Sequence, residues 1–187
     1  MQSEKNLKAK LYSRYPFSSV LIYNGSTILH FVLGGIGMVL GYSFSPWAGY
    51  TFGVLYLVLS FIEMYVVMPL TVCPNCVYYR AKDSLCISGL NLFSKKIAKE
   101  GDLKDFVRRA EGLFCPNNLY LASLFVPILA MIPALIVNFS IVLLLIFLVV
   151  VGLLLFRFFI IFPRIACLHC IAKYECPQAG AMGVRNR

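Results

Sequence analysis

Four long apolar runs, separated by short polar or basic segments, dominate the chain; they cover roughly Ser26–Phe44, Ala48–Val72, Leu119–Val137 and Phe139–Phe162. A bilayer core of about 30 Å needs about 20 apolar residues in helical form, so each run predicts a transmembrane helix. The links "SPW" (Ser45–Trp47) and "VNFS" (Val137–Ser140) are brief and uncharged. Each therefore predicts a tight turn, and the four helices pair into two tandem helical hairpins. Gly37 and Gly41 precede the first turn at a spacing of four, and Gly49 and Gly53 follow it at the same spacing. Small residues so placed let two helix backbones approach closely, although glycine is also common in membrane helices for no local reason.

The segment between the hairpins changes period. In "LFSKKIAKEGDLKDFVRRAEGLF", Leu92, Phe93, Ile97, Leu103, Phe106, Val107, Ala110, Leu113 and Phe114 recur at near-helical spacing among lysines and arginines, which predicts amphipathic helix. Gly101-Asp102 breaks it into two short helices. These lie in the headgroup layer with the apolar face down, or they pack as cytoplasmic helices on the rest of the protein. The expected fold is thus an all-α integral membrane protein with short interfacial or cytoplasmic helices. One membrane domain, 1–187, divides into an N-terminal segment 1–25, a first hairpin 26–81, an amphipathic loop 82–118, a second hairpin 119–174 and a basic tail 175–187.

Composition agrees. The chain is 60% hydrophobic and only 13% charged, whereas soluble domains carry about 45–50% apolar and about 25% charged residues. A net charge of +9 would suit a nucleic-acid partner, but its distribution excludes that reading. Every lysine and arginine except Arg157 lies outside the four runs, in the N-terminal segment, the central loop or the tail, and the two turns carry none. The positive-inside rule then places both termini and the central loop in the cytoplasm, most simply at a prokaryotic inner membrane. The N-terminus is polar and basic for too long to be a cleavable leader. Asn138-Phe139-Ser140 matches a glycosylation sequon, but it sits in a turn too close to the bilayer to serve.

The candidate chemistry is carried by cysteine. "MPLTVCPNCVYY" and "FPRIACLHCIAKY" share Pro-x-x-x-Cys-x-x-Cys followed by a β-branched residue: Pro69, Cys73, Cys76 and Val77 against Pro163, Cys167, Cys170 and Ile171. The pattern implies an internal duplication. Because both halves start and end on one side, they form a parallel pseudo-repeat about an axis along the membrane normal. The offset that aligns the cysteines also aligns Glu63, the only acid in a span, with Arg157, the only base. Each lies ten residues before its first cysteine, about 15 Å along a helix. A lone charge in hydrocarbon is costly and usually pairs within the bundle, so Glu63 is expected to meet Arg157. His30, in the first span, either joins them or stands as a neutral imidazole bonded to a carbonyl.

Cys73, Cys76, Cys167 and Cys170 are the expected ligands of one shared centre, either zinc or an iron–sulfur cluster. Cys86 and Cys176 offer further thiols, the latter followed by Pro177 as in ferredoxin ligand runs. A reducing compartment disfavours structural disulfides. His169 lies between two of these ligands, a position that usually points away from the ion. Cys115 lacks a nearby partner and reads as a small apolar residue at a helix start. Three functions follow as expectations: a membrane electron-transfer component with a protein redox partner, a zinc-stapled accessory subunit that docks partners or anionic lipid headgroups, or handling of thiols and soft metals. No phosphate-binding glycine loop, metalloprotease motif or nucleophile elbow is present. Catalytic residues are therefore not assignable from the sequence.

Overall fold

The structure is a computed structural model that describes residues 9–110 and 116–185. All regular elements among these residues are helical. Helix α1 spans Phe17–Gly41. Helix α2 starts at Pro46 and runs to Ile62; a proline in the first turn loses no hydrogen bond, because that N–H has no partner inside a helix. The helical path continues through a wider π-helical stretch, Glu63–Val67, into α3, Met68–Thr71. After a 3-10 turn at Cys73–Asn75 come the short helices α4 (Val77–Arg80), α5 (Leu90–Ile97) and α6 (Leu103–Ala110). Helix α7 spans Pro116–Val137, and α8, Ile141–Phe156, passes into a second π-helical stretch, Arg157–Ala166. A last short helix, α9, covers Pro177–Ala181.

Four of these paths are long and apolar enough to cross a membrane: Phe17–Gly41, Trp47–Asn75, Asn118–Val137 and Ile141–Ala166. The first begins nine residues before its apolar run, directly after Pro16. The two π-helical stretches begin at Glu63 and Arg157, the same positions in the two copies of the cysteine pattern. Their cause is the shared proline. Pro69 and Pro163 cannot donate to the fourth residue back, and their rings crowd its carbonyl, so the turn widens.

Helix α1 lies at the centre and packs against α2, α7 and α8. Along α1 and α7 the contact partners advance together. His30 Nε2 meets the Leu124 carbonyl at 2.9 Å, a Cβ on Gly37 would strike Met131 Sδ, and one on Gly41 would strike Ala134. Along α1 and α2 they advance in opposite senses. A Cβ on Gly53 would lie 2.8 Å from the Gly35 carbonyl, and one on Gly49 would lie 2.7 Å from that of Val39. These atoms are backbone and cannot turn aside, so glycine is required where α2 touches α1. Gly37 and Gly41, expected to serve the same contact, instead make room for α7 and α8.

Phe31, Met38, Tyr56, Met64, Leu124 and Leu154 fill the centre, while Met131, Ala134, Leu143 and Val150 fill the end near the turns. There Asn138 Nδ2 donates to Ser43 Oγ at 3.0 Å, joining the two turns. The outside of the bundle is as apolar as its inside: Leu129, Ile136, Ile141, Leu145 and Phe159 are all exposed.

Candidate functional site

Both Cys-x-x-Cys pairs sit at the end of the bundle opposite the two turns, and both close the same local geometry. The Cys76 amide donates to the Cys73 carbonyl at 3.1 Å, and the Cys170 amide to the Cys167 carbonyl at 3.3 Å. The central segment braces the first pair. Ser94 Oγ donates to the Pro69 carbonyl at 2.7 Å, and the Gly101 amide to the Pro74 carbonyl at 3.1 Å. Arg80 donates to the Gly101 carbonyl at 2.8 Å and pairs with Glu100 at 2.8 Å. The expected break at Gly101-Asp102 is therefore a packed turn against Asn75. Of the two placements weighed for this segment, α5 packs on α3 and α4, with Leu92, Phe93 and Ile97 left about half exposed.

The two halves are tied together by a strap that the hydropathy pattern does not announce, residues 12–15. The Tyr12 amide donates to the His169 carbonyl at 2.8 Å, the Tyr15 amide to the Leu85 carbonyl at 2.9 Å, and the Leu85 amide to the Ser13 carbonyl at 3.1 Å. Tyr15 Oη donates to the Ala166 carbonyl. Tyr78 Oη donates to the Tyr12 carbonyl at 2.6 Å and accepts from the Ile171 amide at 3.4 Å. His169 is turned to this strap, its Nδ1 2.7 Å from the Lys10 carbonyl and its ring stacked on Tyr12 at 4.6 Å. The strap thus spans the second cysteine turn and the loop that carries Cys86.

Cys73, Cys76, Cys86, Cys167, Cys170 and Cys176 are all unbridged and half-buried. Burial pushes the Cys76 thiol up to about 12, with Cys170, Cys86 and Cys176 adding to it. Burial likewise pushes Cys167 up to about 12, helped by Cys176 and Cys170, and Cys170 up to about 11, helped by Cys176 and Cys86. Thiols of the two halves therefore lie within electrostatic reach of one another. Burial, and then the neighbouring Cys170, also push the phenols of Tyr15 and Tyr78 above their ordinary value. Among the described residues, no group of three or more His, Cys, Asp or Glu side chains is gathered closely enough to hold a metal ion. Cys115 lies outside the described residues.

The expected pair of Glu63 with Arg157 is not made. Arg157 is buried, and its guanidinium donates to Tyr120 Oη, Thr27 Oγ1, Ser26 Oγ (3.1 Å) and the Tyr23 carbonyl (3.3 Å). It also lies over the rings of Tyr23, Tyr120 and Phe162, 5.1–5.7 Å from their centroids. Glu63 lines a cavity with Leu119, Ala122, Ser123 and Val126 of α7, while Arg157 meets Tyr120 of the same helix. The two charges therefore address different faces of α7. The cation is satisfied by phenols, hydroxyls and a carbonyl, which disperse its charge without a second ion. His30 Nε2 donates to the Leu124 carbonyl and does not join either charge.

The tyrosines and hydroxyls around Arg157 carry no charge, so the pattern of charged residues along the chain does not reveal them. The signal that could have found them is their spacing: Tyr23, Ser26 and Thr27 share one helical face. Comparison with protein-family models, with curated proteins and with solved structures finds no match for this chain.

Proposed function

We propose that this chain is an integral membrane protein of two tandem helical hairpins whose cytoplasmic end binds a thiophilic metal centre, with Cys73, Cys76, Cys167 and Cys170 as ligands and Cys86 and Cys176 beside them. The observation that supports the reading is that one cysteine turn from each half lies at the same end of the bundle, where the Ile171 amide beside Cys170 donates to Tyr78 Oη, two residues after Cys76, at 3.4 Å. The thiols have the chemistry of such a centre, but the described residues do not gather three of them at ligand distance, so binding would have to bring the two pairs closer. Half-buried thiols that resist ionisation are stabilised as thiolates by a soft cation, and that cation would draw the two halves together. The apolar exterior, together with exposed Phe44, Trp47, Tyr50 and Phe139 at the turns, supports a bilayer setting with an aromatic belt. The basic segments at the cysteine end support a cytoplasmic location for it.

When bound, an iron–sulfur cluster would supply one-electron chemistry, and zinc would supply a structural staple. Anaerobic purification in detergent, with iron, zinc and acid-labile sulfide measured against protein, tests the reading. Stoichiometric iron and sulfide with visible absorbance assign electron transfer. Stoichiometric zinc in colourless protein assigns a scaffold or accessory subunit. Free thiols with neither metal overturn the proposal.

A further inference from the structure

A cavity of about 550 Å³ opens between α2 and α7, and neither the cysteines nor the Arg157 cluster uses it. Its wall is apolar, formed by Phe52, Leu55, Leu59, Ala122 and Val126, with Glu63 set into it. Glu63 Oε1 is buried and has no hydrogen-bond partner. Two other polar groups of the wall are engaged: Tyr56 Oη donates to the Ser123 carbonyl at 3.0 Å, and Ser123 Oγ to the Tyr120 carbonyl at 2.7 Å. Arg157, the base at the level of Glu63, is held elsewhere. The cavity is of the size that takes small ligands, and it offers the Glu63 carboxylate within an apolar wall whose Phe52, Leu55, Leu59 and Val126 are about half exposed.

We propose that this cavity binds amphiphilic organic cations, namely a protonated amine on an apolar ring body. The ammonium N–H donates to the Glu63 carboxylate where it lines the cavity, and the ring lies against Phe52 and Leu59. Charge complementarity selects this class. A neutral lipid chain would fill the apolar wall but leave the Glu63 carboxylate without a partner. A phenyl ring such as that of Phe52 also attracts a cation through its face. This inference stands apart from the metal centre and survives its failure.

The test is equilibrium binding of 9-aminoacridine to the purified full chain in phosphatidylcholine nanodiscs, which carry no net lipid charge. The uncharged 9-anthracenemethanol serves as the size-matched comparison. Saturable 9-aminoacridine binding that weakens about tenfold or more in Glu63→Gln, with 9-anthracenemethanol binding unchanged, is the expected result. Equal 9-aminoacridine affinity in the two proteins overturns the proposal and leaves a cleft for lipid chains. No saturable binding to the wild-type protein overturns it as well. Should Glu63→Gln not fold, Ala122→Phe keeps the question open to test. It fills the cavity from the exposed side of α7 and leaves the carboxylate in place. It must abolish 9-aminoacridine binding while the thermal transition stays put; retained binding refutes the site.

Discussion

The separation of Arg157 from Glu63 makes a quantitative prediction. Tyr120→Phe removes one acceptor from the guanidinium, and a hydrogen bond to a charged group contributes about 1.5–3 kcal/mol. Arg157→Met keeps much of the stem volume but deletes the fork and all four of its polar contacts; leaving buried acceptors without that donor costs about 1–3 kcal/mol. Once Met is in place, Tyr120 Oη retains only a long contact with Tyr23 Oη at 3.5 Å. The Tyr120→Phe change should then cost far less, giving a coupling energy of about 1.5 kcal/mol or more between positions 120 and 157. Glu63→Gln and Arg157→Met share no partner, so their effects should add to within about 0.5 kcal/mol. Unfolding in mixed micelles titrated with denaturing detergent, followed by helical circular dichroism, measures all of these differences. A coupling above about 1 kcal/mol between positions 63 and 157, with additivity between 120 and 157, would refute the reasoning, since that pattern belongs to an ion pair.

Three further outcomes are expected. Gly53→Ala introduces a Cβ 2.8 Å from the Gly35 carbonyl, whereas Gly152 has nothing within 4 Å of the same atom. The first should lose about 1–3 kcal/mol to overpacking, and the second should gain up to about 1 kcal/mol from helix propensity, read in the same unfolding assay. Tyr78→Phe removes the bond to the Tyr12 carbonyl, so it should cost about 1 kcal/mol and speed alkylation of Cys170, measured by mass spectrometry. In metal-free protein, Cys76, Cys167 and Cys170 hold their protons up to about 11–12, whereas unfolded thiols ionise near about 8.5. The sign follows: stability from these groups is complete below the unfolded value and falls as pH rises past it. Alkylation of these thiols should be slow at neutral pH and accelerate as pH rises. A thermal transition that climbs with pH above about 9 would contradict this.

The four long helices were legible in the sequence because hydrophobic length is a one-dimensional property. The break of the central segment into two helices was legible for the same kind of reason, in Gly101-Asp102. The duplicated cysteine pattern carried further than its residues: its offset also relates the starts of the two π-helical stretches and the contact of His30 with Leu124. Side-chain direction was not legible. Equating Glu63 with Arg157 fixed their level along the helices but not the face each one takes, and a helix rotates by about 100° with every residue. The strap at 12–15 was hidden for a different reason. It pairs backbone groups through isolated bridges, and such bonds leave no periodicity in the residues that make them.

That strap has a consequence for biosynthesis. Tyr12 leaves the ribosome long before His169, whose carbonyl it engages. The cysteine end therefore cannot close until the second cysteine turn has been made, and ordering of the strap waits on both hairpins.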